Sequence, residues 1–196
     1  MNVFWLDLDP MLSARYACDQ HIVKMPTEHA QMLLTALHEL GFGTQPMKPI
    51  HRNKQLMQWV MADFANFAYL YELTREYYIE YVQRYHKLEH GGWFVLKSAV
   101  RKVGGLRAIR QAYKLRNCDS HAPTLYSAMR EELWLYVTVP PLYMDEQYRR
   151  PLHGPLALQM STVVSCYRDC YRFDKIRFAR YRHSRPPVFM VGIAVK

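Results

Sequence analysis

Apolar residues recur along this chain mainly at intervals of three and four, the spacing that places side chains on one face of an α-helix. A first helical stretch is predicted over residues 10–23. Pro26 follows, and it either kinks that helix or opens a second one, because its ring removes a backbone donor and sets φ. Beyond it, Ala30, Leu33, Leu34 and Leu37 share a face until Gly41-Phe42-Gly43 stops the pattern and residues 45–49 form a loop. Asn53 is placed to cap a long helix over 54–88, with Leu56, Trp59, Val60, Phe64, Phe67, Tyr71 and Tyr78 along its apolar face and Gly91-Gly92 at its end. Shorter helices are predicted over 94–102, 105–115 and 124–138, the last capped by Thr124 and stopped by Pro140-Pro141. Residues 142–155 read as loop, 157–182 as a final helix and 188–195 as a short strand. The pattern predicts an all-α fold: one compact domain of six to seven helices with long connections.

Composition narrows this further. The 196 residues are 50% hydrophobic and 14% aromatic, enough to build a core and against intrinsic disorder. No apolar run approaches the roughly 18 residues of a membrane span, so no membrane partner is expected. Asp7 and Asp9 interrupt the start of the chain, which has no basic region and does not resemble a signal peptide. Four irregularly spaced cysteines fit a reduced, cytoplasmic protein rather than a disulfide scaffold. Cys166 and Cys170 with Cys18 and His21 match a zinc set formally, but thiols one helical turn apart among aromatics are more simply core, and no metal or cofactor is expected.

Charge changes the picture more. The net charge is +9, yet residues 1–98 carry −1 and residues 99–196 carry +10. A neutral half joined to a basic half points to a polyanion, most often nucleic acid. The basic half holds two clusters. Lys97, Arg101, Lys102, Arg107, Arg110, Lys114 and Arg116 form the first, beside Trp93 and Tyr113. Arg168, Arg172, Lys175, Arg177, Arg180, Arg182 and Arg185 form the second, interleaved with tyrosines and phenylalanines. Few of these cations have an acid three or four positions away, so they are expected to face phosphates, while the aromatics read as the buried side of their helices.

The most polar segment of the apolar N-terminal half runs from Cys18 to His29. Glu28 stands seven residues after His21, with Lys24 between them, so one helical stripe would carry a His, a Lys and a Glu. Such a stripe suits general acid–base work, and equally an exposed Lys–Glu pair beside a core histidine. His51-Arg52-Asn53-Lys54, at the start of a predicted helix, resembles an anion-binding terminus, although an exposed capped loop has the same sequence.

Asp19-Gln20-His21, preceded by small Cys18, followed by Ile22-Val23 and then by Glu28, resembles the catalytic segment of the phage-type pyrimidine-dimer DNA glycosylase (endonuclease V) family. Residues 12–40 carry this likeness. Over most of its length the chain is also similar to a larger set of phage proteins with a Cys-Asp-x-His-x-Val-Lys-Met signature. The resemblance implies an all-α endonuclease V-like core acting on a base in double-stranded DNA. An N-terminal amine, here that of Met1, would attack the sugar C1′ and displace the base. Glu28 would steer the protons, and His21 and Gln20 would contact the lesion or the kinked backbone. Asp19, Lys24 and Gln31 beside them, and His51 and Arg52 from the anion-binding type of helix start, are expected to complete the substrate site. Two positions depart from the family: residue 2 is Asn, which does not favour removal of Met1, and Gln31 stands where a basic residue is expected. An alternative reading respects these departures. Phage enzymes that hypermodify thymine join an amine or amino acid to an activated 5-hydroxymethyl pyrimidine in DNA, which needs a base and cations but no N-terminal nucleophile. A third reading is DNA binding without chemistry.

Overall fold

A computed structural model describes residues 2–117 and 137–191. Among these residues seven α-helices run in order: α1 Pro10–Tyr16, α2 Asp19–Glu39, α3 Gln55–Ala62, α4 Phe64–Tyr85, α5 Gly91–Lys102, α6 Gly105–Asn117 and α7 Leu156–Phe173. Short 3-10 turns occupy Glu146–Tyr148, Lys175–Arg177 and Val188–Met190, and no strand occurs among the described residues. The all-α single domain expected from periodicity is therefore present. Among the described residues no helix is long and apolar enough to cross a membrane.

The first helical stretch divides in two. Asp9 caps α1, its Oδ1 accepting the Met11 N–H at 2.8 Å, with Pro10 in the first turn where a missing donor costs nothing. Ala17 and Cys18 are extended, and α2 starts afresh at Asp19. Pro26 lies inside α2 and neither ends nor starts it. Its place in the helix is supported by α5. Nδ1 of His90 accepts the Gly92 N–H at 3.2 Å, so Nε2 carries the ring proton and donates to the Val23 carbonyl at 2.8 Å. Gly92 lies so close that a Cβ there would sit 2.8 Å from the Cα of Thr27. The first turn of α5 thus presses on the backbone of α2 beside Pro26, next to Glu28.

The long helix expected over 54–88 is also two. Asp63 adopts φ −150 ψ 150 and caps α4, its Oδ1 taking the Ala65 N–H at 2.7 Å. Apolar periodicity continues across this break because α3 and α4 face the same core, which hides a capping signal in the sequence. The N-cap of α3 is Lys54, without a side-chain bond, rather than Asn53. Most of the predicted 124–138 helix lies outside the described residues. Thr138 is not helical, and its carbonyl accepts the indole N–H of Trp59 at 2.9 Å.

The C-terminal part departs most. α7 ends at Phe173 and not at 182, because Asp174 turns back to bind Lys175 and Arg177. The expected strand at 188–195 is instead a 3-10 turn at Val188–Met190, and residues 192–196 lie outside the described residues.

The core is centred on α2 and α4, with α1, α3 and α5 packed around them. The extended N-terminal segment enters it: Val3, Trp5 and Leu6 are fully buried, and Trp5 stacks on Tyr69 at 4.0 Å. A buried ionic knot locks α1, α2 and α4. Arg84 donates to the carbonyls of Arg15 and Ala17, both at 2.8 Å, and to Glu80 at 2.9 Å, and it meets Asp19 at 3.3 Å. This many partners satisfy the guanidinium fork, as a buried cation requires.

Candidate functional site

The first half of α2 forms one wall of a polar cleft of about 550 Å³. Gln20, His21, Lys24 and Glu28 all line it. Spacings of three, four and seven turn these side chains to one side, and Pro26 and His29 fall on the buried side. Asn2 and Phe4 close one end, while Tyr143, Arg149, Lys175 and Phe178 face α2 from the C-terminal part.

Glu28 sits at the centre of the polar contacts. Its Oε1 meets the Lys24 ammonium at 2.9 Å, and its Oε2 accepts the Asn2 backbone N–H at 3.2 Å. Lys24 is 61% exposed and Glu28 only 14%, so the carboxylate is enclosed and its cation reaches into solvent. Asn2 is anchored in turn. Its amide donates to the Tyr143 carbonyl at 2.8 Å, and its Oδ1 accepts the Tyr167 hydroxyl at 3.3 Å. Asn2 and Arg149 are site residues that sequence reasoning missed. Neither carries a motif, and both arrive from segments without helical pattern.

His21 is held on three sides. Its ring stacks on Phe4 at 4.2 Å, meets the edge of Phe178 at 5.7 Å, and its Nδ1 hydrogen-bonds the buried Tyr171 hydroxyl. Burial, reinforced by the charges of Lys175 and Lys24 and by His29, pushes its pKa down to about 3. The ring is therefore neutral at physiological pH. His29, fully enclosed and edge-on to Tyr77 at 5.5 Å, is likewise held down to about 4 by burial, against the pull of Glu28 and the Asn2 carbonyl.

The remaining expected site residues fall elsewhere. Asp19 is a structural tie: it meets Arg84, and its Oδ2 accepts the Arg182 N–H at 2.8 Å. Gln31 donates to the Lys48 carbonyl at 2.8 Å, fastening the loop after α2, and does not line the cleft. His51 and Arg52 are exposed in the turn before α3, also outside it. Met1 lies outside the described residues.

The expectation that the second basic cluster presents free cations to phosphate is corrected in part. Arg168 meets Asp7 at 2.8 Å, donates to the Leu6 carbonyl at 2.8 Å and lies over the Phe189 ring at 5.2 Å. Lys175 and Arg177 both bind Asp174. Arg180 donates to the Ala179 carbonyl at 3.3 Å, and Arg172 lies over the Phe173 ring at 5.3 Å. Arg182 is exposed. The partner of Arg168 comes from far away in sequence, where local spacing is blind, and Asp174 reaches its partners where α7 breaks.

The first cluster keeps its exposure at Arg101, Lys102, Arg107 and Lys114, with Arg110 half-buried. It lies toward the other end of α2. α5 starts beside Thr27, and its last turn brings Lys102 to a groove shared with Phe42 and Gln45. Arg116 on α6 donates to the Glu39 carbonyl at 2.8 Å. At 1.5 Å per residue, α2 separates the two ends by roughly 20 Å. The cations at the cleft itself are Lys24, Arg149 and Lys175.

Among the described residues no group of three or more His, Cys, Asp or Glu side chains converges as metal ligands would. Cys18, Cys166 and Cys170 are buried free thiols, each pushed up in pKa by burial. Comparison of the chain with protein-family models, with curated proteins and with solved structures finds no match in any of the three.

Proposed function

We propose that this protein processes a base in DNA, with Glu28 as the acid–base residue of a glycosylase- or lyase-like reaction. The observation that carries the reading is the setting of Glu28: an enclosed carboxylate between an ammonium and a backbone N–H, on a cleft wall shared with neutral His21 and Gln20. A carboxylate so placed can take a proton from an attacking amine, return it to the departing base, and offset positive charge developing at C1′. A volume near 550 Å³ is ample for an extruded nucleotide. Lys24, Arg149 and Lys175 supply cations at its rim, and the exposed α5–α6 cluster offers a second contact for the phosphate backbone.

One observation favours the base-modifying transferase as a second reading. Residue 2 is Asn, whose size does not favour removal of Met1 and exposure of a small residue's amine as the nucleophile. A transferase would draw its amine from a substrate and use the cleft cations for a pyrophosphate leaving group. Borohydride reduction separates the two. The glycosylase reading expects a covalent adduct with abasic or dimer-containing duplex DNA. The transferase reading expects no adduct, and turnover only with a pre-activated base and a free amine. Under either, Glu28→Gln lowers turnover by about 10²–10⁴-fold and leaves DNA affinity unchanged. Loss of affinity in step with turnover would make Glu28 structural and overturn the proposal.

A further inference from the structure

We propose that Tyr171 is a positioning residue that holds His21 in its Nε2–H tautomer, so that His21 serves the substrate as a hydrogen-bond donor to an acceptor oxygen and not as a base. The inference rests on the cleft being the substrate site, and its structural half is testable without any substrate.

The Tyr171 hydroxyl is buried beside Nδ1 of His21, and the Cys18 backbone N–H and thiol also face its oxygen. Burial keeps this phenol protonated, so its one proton must point at an acceptor. Imidazole nitrogen is a far better acceptor than a thiol, and the Cys18 N–H can only donate. The phenol proton therefore goes to Nδ1. A neutral ring whose Nδ1 accepts must carry its own proton on Nε2. Among the described residues Nε2 makes no bond within the protein, nor is it a buried atom lacking a partner. It opens on the cleft that His21 lines.

The surroundings of the ring forbid the other states. Phe4 covers one face and Phe178 meets the ring edge-on, while Lys24 and Lys175 oppose a positive charge on it. Protonation at Nδ1 would also set an N–H against the phenol proton. The ring is thus an oriented neutral donor beside a carboxylate that can accept, which divides the two proton roles of the cleft between His21 and Glu28. The matching substrate atom is a carbonyl oxygen of a pyrimidine or an oxygen of a phosphate.

The test is long-range ¹H–¹⁵N correlation on the uniformly labelled protein, with His21 assigned through His21→Gln. A pyridine-like Nδ1 and a protonated Nε2 are expected from about pH 5 to about pH 8. An Nδ1–H tautomer, or an imidazolium forming within that range, overturns the proposal. Tyr171→Phe removes the donor and keeps the ring. It should mix the two tautomers, and an unchanged Nε2–H signature would overturn the positioning role. If that variant does not fold, the wild-type tautomer still decides. Activity separates donor from base. His21→Gln places an amide N–H near the same point and should stay within about tenfold of wild type, whereas His21→Ala should lose about 10²–10³-fold, the usual cost of removing one donor. Equal losses in both would overturn the donor role. Failure of all base chemistry with the Nε2–H tautomer intact would instead overturn the function proposed above.

Discussion

His29 follows Glu28 on the buried side of α2, fully enclosed, and its cost of protonation is a stability statement. Its folded pKa of about 4 lies below the ordinary value of 6.5. Above that ordinary value neither state holds the proton, and the native state has its full stability. As pH falls toward the folded value, the unfolded chain takes up a proton that the native state refuses, so stability falls. The full effect for this residue is roughly 3 kcal/mol. Urea unfolding of wild type and His29→Leu at neutral pH and near pH 4 should show a steeper acid loss in the wild type. Parallel pH profiles would mean that His29 is protonated in the folded state. His21 adds to the same acid sensitivity, with Lys24 and Lys175 strengthening what burial does.

Among the helices, the contact between α2 and α5 shapes the cleft wall. Pro26 removes the backbone donor that would serve the Ile22 carbonyl, and beside it α5 donates from His90 to the neighbouring Val23 carbonyl and brings Gly92 against Thr27. Ala is a better helix former than Gly by about 1 kcal/mol, so an exposed helical glycine gains from the exchange. Gly91 is exposed with nothing within 4 Å of a new Cβ, and Gly91→Ala should be neutral or stabilising. Gly92→Ala should lose about 1–3 kcal/mol despite the same propensity gain, because the added methyl meets backbone that cannot move alone. Chemical denaturation of the pair reads this directly, and equal midpoints would show that α5 does not press on α2. The same contact explains why a proline one turn ahead of the helix's second half leaves Lys24 and Glu28 in register across it: their bridge spans the proline at 2.9 Å.

Over the molecule as a whole the charge divides into three parts rather than two halves. α5 and α6 present exposed cations toward the far end of α2, the cleft holds Lys24, Arg149 and an Asp174-bound Lys175, and Arg168 and Arg177 are tied to Asp7 and Asp174. Under the proposed function these parts differ in their response to salt. Reversing Lys102 and Arg107 to Glu should weaken DNA binding and lower the slope of log affinity against log salt by about 1 for each phosphate that is no longer neutralised. Arg168→Gln should leave that slope unchanged and lower the unfolding midpoint, since its guanidinium holds the N-terminal segment against α7. A slope that responds to Arg168 and ignores Lys102 and Arg107 would move the DNA contact to the other face.

Residue spacing alone specifies the helical class, the extent of α5 and α6 and the C-terminal end of α2 to within a few residues, and the shared face of His21, Lys24 and Glu28, because helical periodicity is local and survives any packing. It does not separate α3 from α4, since both bury the same kind of face and only the Asp63 cap marks the break. Everything else in the site depends on how the helices pack. Packing brings Asn2 to Glu28 across 26 positions and Tyr171 to His21 across 150. It turns Asp19 from a motif residue into a partner of Arg84, and it gives Arg168 an acid 161 positions away. Whether a charge is free or taken, and whether a histidine is a base or a donor, depends on which distant groups share its low-dielectric surroundings. Those groups are brought together by the fold, and no spacing along the chain encodes their meeting.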